Sequence, residues 1–70
     1  MSTPYLSFIV YVLRKGDTDV EHACFLTHQS AYDCAHSITR QDIVWLELIG
    51  LHRTEGAVRL MFYRSADCED

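Results

Sequence analysis

The sequence predicts a small α+β domain, in which a four-stranded, largely antiparallel sheet of order ββαββ carries one helix on one face. Four segments rich in β-branched, aromatic and aliphatic residues are separated by turn signals, as in a protein built of hairpins. Between the second and third of these segments, apolar residues recur at helical spacing. Two hairpins joined by one helix favour a sheet with a single helical layer.

The first hairpin is predicted from its composition. Tyr5–Arg14 reads YLSFIVYVLR, which is typical of a strand. Residues 15–19 predict a turn, because Gly16 permits a positive φ angle and aspartate side chains bond to their own backbone. Residues 20–27 then predict the second strand.

The helix is predicted at about residues 30–40. Ser30 is the expected N-cap, and Asp33 stands three residues later, where a capping box has its acidic or amide partner. Arg40 suits the negative end of the helix dipole. The apolar residues on one helical face are Ala31, Cys34, Ala35 and Ile38.

The second hairpin is predicted from two apolar runs at residues 43–51 and 58–64, joined by a turn at 53–56. A loop of that length places His52 opposite Ala57. Side chains alternate between sheet faces, so one face is expected to carry Trp45, Ile49, Leu51, Val58, Leu60 and Phe62. The other face is expected to carry Val44, Leu46, Leu48, Met61 and Tyr63.

Both predicted faces are apolar, and one helix covers only one of them. A helix of eleven residues is about 16 Å long, against a four-stranded sheet about 19 Å wide. The second face is therefore expected to form a homodimer, to dock a different protein, or to be less apolar in another register. The residues assigned to partner binding on that face are Leu46, Leu48, Met61 and Tyr63.

Composition restricts the classes of function. Seventy residues, 49% of them hydrophobic, predict one folded domain at residues 1–64 with an acidic tail at 65–70. The formal net charge of −4 argues against direct nucleic-acid binding, which favours an excess of basic residues, and three cysteines are too few for a disulfide-stapled secreted scaffold. Neither a signal peptide nor about 20 consecutive apolar residues is present, so we expect a cytoplasmic protein without membrane contact.

An acidic row is a second candidate contact. Asp17, Asp19 and Glu21 alternate along the chain, so in an extended conformation they would recur about every 6.8 Å on one side. Such a row can enter a basic nucleic-acid groove of another protein. The alternative is that charge at the hairpin end protects an edge strand from aggregation.

Metal and thiol chemistry are weaker alternatives. The pair His22 and Cys24 is mirrored in the sequence by Cys34 and His36. Zinc needs four converging ligands, but side chains two residues apart on a helix, as Cys34 and His36 would be, point in different directions. Cys34 near His22 or His28 would suit a nucleophile, yet no substrate pocket is indicated. We therefore predict no catalytic residue, no metal and no cofactor.

Nucleic-acid stacking is the remaining alternative. Three arginines lie in or beside the second hairpin, together with aromatic residues that could stack on bases. The residues concerned are Arg53, Arg59, Arg64, Trp45 and Tyr63.

The layout resembles that of several small phage-encoded anti-CRISPR proteins, which are short, acidic, cysteine-poor chains with two hairpins around one helix. The matching segments are YLSFIVYVLRKGDTD, SAYDCAHSI, IVWLELIGL and VRLMFYR. The resemblance implies a non-catalytic inhibitor that binds a CRISPR surveillance complex or nuclease in the cytoplasm of a bacterial host. The alternatives are a structural homodimer within a larger phage or bacterial assembly, and a zinc-binding domain.

Overall fold

The computed structural model describes residues 4–65 and confirms the α+β class and the ββαββ order. The elements are β1 (Tyr5–Arg14), β2 (Glu21–Phe25), α1 (His28–Ser37), β3 (Ile43–His52) and β4 (Gly56–Arg64). Within the described residues, the four strands form one antiparallel sheet in the order β2-β1-β3-β4, so the two hairpins meet along β1 and β3. A 3-10 turn at Arg40–Asp42 leads into β3.

Helix α1 begins earlier than the sequence predicts. Its N-cap is Thr27, whose side chain accepts the backbone N–H of Ser30 at 3.2 Å and donates to the Ser30 hydroxyl at 2.9 Å. Ser30 is thus the third residue of the helix rather than its cap. The threonine was assigned to the preceding strand because β-branched residues favour strands, but β2 ends at Phe25.

The helix also ends earlier, at Ser37, and Arg40 lies outside it. The Arg40 guanidinium nevertheless donates to the Ala35 carbonyl oxygen at 3.0 Å, so it satisfies one of the acceptors that a helix C-terminus leaves open. It also lies over the Tyr63 ring, 5.1 Å from the ring centre. This side chain therefore ties the end of α1 to β4.

The register of the second hairpin changes at one position. His52 pairs with Gly56, one residue from the predicted partner Ala57, whereas Leu48 pairs with Met61 as predicted. The difference is absorbed by a β-bulge at Leu60, the extra residue between Arg59 and Met61. Because of the bulge, Leu60 packs against the core, although alternation placed it with Phe62.

The core lies between α1 and one face of the sheet. The helix packs on β1, β2 and β3, and its contribution to the fully buried core is two alanines, which allow a close approach to the strands. The buried core residues are Phe8, Val10, Val12, Ala31, Ala35, Ile43, Leu46 and Leu48.

This packing corrects the sequence-based assignment of the free face. Leu46 and Leu48 are 0% exposed, and Met61 and Tyr63 pack against the same cluster. These four residues therefore lie on the helix-covered face. The position of Glu47 explains why the helix covers this face. Glu47 lies between the two leucines in β3 and points to the opposite face, so a helix on that face would remove its carboxylate from solvent at a large cost in free energy.

The C-terminal boundary also moves by one residue. Ser65 was expected to begin the acidic tail, but it is buried and its backbone N–H donates to the Val44 carbonyl oxygen at 2.8 Å. Ser65 therefore belongs to the folded domain. Residues 66–70, which hold the rest of the expected tail, lie outside the described residues.

Two neighbouring substitutions test which face is the core. Leu48→Asp should unfold the protein, because a buried carboxylate without a partner costs more than about 4 kcal/mol. Ile49→Asp should retain the fold at a cost of about 1 kcal/mol, because Ile49 points to the opposite face beside Arg59. Circular dichroism melts of both variants check this, and equal loss of structure in the two would contradict the assignment.

The β3–β4 turn depends on His52. Its Nδ1 accepts the backbone N–H groups of Thr54 at 3.2 Å and Glu55 at 3.1 Å. His52→Ala should lower the free energy of unfolding by about 1 kcal/mol, because both donors lose their acceptor. His52→Asn should recover most of this, since its Oδ1 is in an equivalent position. Denaturant titrations that rank Asn no better than Ala would exclude the capping role.

Candidate docking face

The sheet face opposite α1 is not covered by any element within residues 4–65. We call it the uncovered face and define it by the strand residues whose side chains alternate away from the helix. Its apolar and aromatic members are Ile9, Tyr11, Leu13, Trp45, Ile49, Leu51 and Phe62, and its polar members are His22, Cys24, Glu47, Arg59 and Arg64.

Most side chains in the middle of the uncovered face are apolar. Ile9 on β1 pairs with Ile49 on β3, and Leu13 pairs with Trp45. These four side chains are half-buried by their neighbours within the sheet, whereas Phe62 on β4 is 47% exposed. An apolar strip therefore runs without interruption along β1 through Ile9, Tyr11 and Leu13. On β3 the strip continues at Trp45 and Ile49, which Glu47 separates, and the exposed Phe62 ring lies beside it.

Two of the charged side chains on this face, Arg59 and Glu47, are paired with each other. The Arg59 guanidinium binds the Glu47 carboxylate at 2.6 Å and lies over the Phe62 ring at 4.7 Å from its centre. Glu47 faces Phe62 across β3 and β4. A neutralised pair held against an aromatic ring costs less to remove from water than either charge alone.

The β2 side of the face is more polar. The His22 ring lies 6.2 Å from that of Tyr11, and Cys24 is an exposed free thiol opposite Ile9. Because β2 has five residues and β1 has ten, the face narrows here.

The expected acidic row is not formed. The chain turns at Gly16, which has a positive φ of 88°, and bends again at Thr18 and Asp19, so the extended spacing is lost. Glu21 lies in β2 and pairs with Arg14 at 3.1 Å. Asp17 and Asp19 remain exposed at the loop, which fits the alternative that charge protects the hairpin end.

The structure also places the residues of the zinc, nucleic-acid and thiol alternatives. Among the described residues, no group of three or more His, Cys, Asp or Glu side chains is arranged to hold a metal ion. Trp45 and Tyr63 lie on opposite faces of the sheet, so they form no common stacking platform. His22 and Cys34 are both among the residues that line an open groove of about 270 Å³ between α1 and the first hairpin.

One surface feature was missed at the sequence level. His28, Tyr32 and His36 stack along the exposed side of α1, with ring centres 5.1 Å and 4.5 Å apart. Their spacing of four residues is the signal that could have revealed them, since such residues are neighbours on a helix. His28 also contacts the core residue Phe8 at 5.5 Å.

Comparisons with protein-family models, with curated proteins and with solved structures found no match to this chain. Within residues 4–65, no helix has the length and apolar character needed to cross a membrane.

Thiol reactivity tests the exposure of the uncovered face. In a Cys68→Ser background at sub-micromolar protein concentration, Cys24 should react with an aromatic disulfide at the rate of an ordinary exposed thiol. Cys34, which lies in α1 and is partly buried, should react about 10-fold more slowly. Adding Cys24→Ser or Cys34→Ser assigns the two phases. A faster reaction at Cys34 would instead indicate an activated thiol in the groove.

Proposed function

We propose that this protein is a non-catalytic protein-binding module and that the uncovered face is its docking surface. The observation that supports this is the apolar strip, which is continuous along β1 through Ile9, Tyr11 and Leu13. It includes Trp45 and Ile49 on β3 and borders the exposed Phe62 ring. Contiguous apolar surface of this kind usually marks an interaction site, because leaving it in water costs free energy.

The composition of the face suits protein recognition. Tryptophan, tyrosine, phenylalanine and arginine are enriched where protein interfaces concentrate their binding energy, and this face carries all four. Its aromatic members are Tyr11, Trp45 and Phe62, and Arg59 is already held against Phe62 and Glu47. Such a prearranged arginine loses little side-chain entropy on binding.

The target that we propose is a CRISPR surveillance complex or nuclease, which the protein would inhibit by occupying a surface needed for activity. The support is the resemblance of the whole ββαββ layout, together with the size and acidity of the chain, to small anti-CRISPR inhibitors. Because the acidic row is not formed, contact through the uncovered face should depend little on salt.

The test is inhibition of defined targets. Purified CRISPR surveillance complexes and nucleases of the main types are assayed for DNA binding and cleavage with increasing amounts of the protein. At least one should be inhibited at a fixed stoichiometry, and Ile49→Asp should weaken inhibition by at least about 30-fold, because it places a charge in the apolar strip.

The matched control is Leu26→Asp, which adds the same charge at a residue that is 81% exposed and lies outside the uncovered face. It should inhibit as the wild type does. If no target is inhibited, the proposed activity is wrong. If a folded Ile49→Asp protein inhibits fully, the docking surface lies elsewhere.

A further inference from the structure

We infer that a second copy of this chain occupies the uncovered face when no other partner is bound, giving a two-fold symmetric dimer with the two sheets face to face. The inference rests on the proposed function, because it takes the uncovered face to be a binding surface. It adds a regulation of that surface, since a target would have to displace the second copy before it could bind.

The size of the face fits a dimer. Strands of ten residues are about 33 Å long and four strands are about 19 Å wide, which gives roughly 500 Å² once the short β2 is allowed for. Two such faces together bury the roughly 1,000 Å² that a specific interface needs. This figure treats each face as flat and omits the additional surface area of its side chains. A second copy matches this outline by definition.

The distribution of charge also favours a second copy. Two chains of formal charge −4 repel each other unless they meet where carboxylates are scarce. Among residues 4–65, Glu47 is the one carboxylate on the uncovered face, and Arg59 neutralises it. The remaining described carboxylates lie on the helix, in the loops or on the opposite side, at Asp17, Asp19, Glu21, Asp33, Asp42 and Glu55.

Two-fold symmetry also requires that the interface carry no uncompensated charge near its centre. In a two-fold interface the same patch meets itself, so any uncompensated charge near its centre would face its own copy. The centre here is formed by the Ile9–Ile49 pair and the neighbouring Tyr11–Glu47 pair on the two middle strands, and Arg59 of the same chain compensates the charge of Glu47. Two twisted sheets packed with strand directions within about 30° bury such a centre as a second core.

The single tryptophan, Trp45, reports on this interface, because it lies on the uncovered face opposite Leu13. Dimer formation removes its ring from water and shifts its emission to shorter wavelength. A dilution series from near-millimolar to sub-micromolar protein should therefore shift the Trp45 emission to longer wavelength. Sedimentation velocity should show a change from two chains to one over the same concentrations.

Two variants make the test specific. Ile49→Asp should raise the dimer dissociation constant by at least about 100-fold, because each interface receives two charges from the two copies. Leu26→Asp should leave it unchanged. If Ile49→Asp proves unfolded by circular dichroism, Phe62→Ser replaces it, because it only shortens a side chain that is already 47% exposed.

A chain that stays monomeric at every concentration overturns the inference, as does a dimer that Ile49→Asp and Phe62→Ser leave intact. These outcomes differ from failure of the proposed function. If the protein is monomeric but inhibits a CRISPR target through the uncovered face, the proposed function holds and the dimer inference is wrong. If the protein dimerises but inhibits no target, the dimer inference holds and the proposed inhibitor function is wrong.

Discussion

The structure depends on one constraint, which is that a helix of ten residues covers one face of a sheet whose two faces are both apolar. Ala31 and Ala35 allow α1 to lie close to the sheet, so the side chains of β1 and β3 fill the core almost alone. The alternation of β3 then determines the rest of the arrangement. Leu46 and Leu48 are enclosed, while Trp45 and Ile49 are left facing solvent.

The uncovered face differs from an ordinary polar outer surface in its chemistry. Its central carboxylate, Glu47, lies between Trp45 and Ile49 but is neutralised by Arg59, which also lies on the Phe62 ring. Most described carboxylates are placed away from it, which concentrates the acidity of the chain on other surfaces. Apolar contact and low local charge therefore occur on the same surface, and the proposals for its occupants follow from that combination.

Local patterns predicted the strands well because β1 and β3 are long, dense in β-branched and aromatic residues, and bounded by turns. The bounds of β1 were exact. The start of α1 was missed because a threonine at position 27 is typical both of a strand and of a helix N-cap. The structure shows the N-cap, since the Thr27 side chain accepts the backbone N–H of Ser30. The bulge at Leu60 has no local signal. The choice of face was available in the sequence through Glu47, whose position among the leucines identifies the side that stays in contact with solvent.

The bulge at Leu60 has a consequence for how copies of the chain associate. Strand β4 forms one edge of the sheet, and a regular edge of nine residues is a template for adding further strands. The bulge interrupts that edge near its middle and increases its twist, so a strand from another molecule finds no continuous ladder to extend. The opposite edge, β2, is only five residues long. Growth into fibrils along the sheet is therefore disfavoured, and association through the faces closes after two molecules.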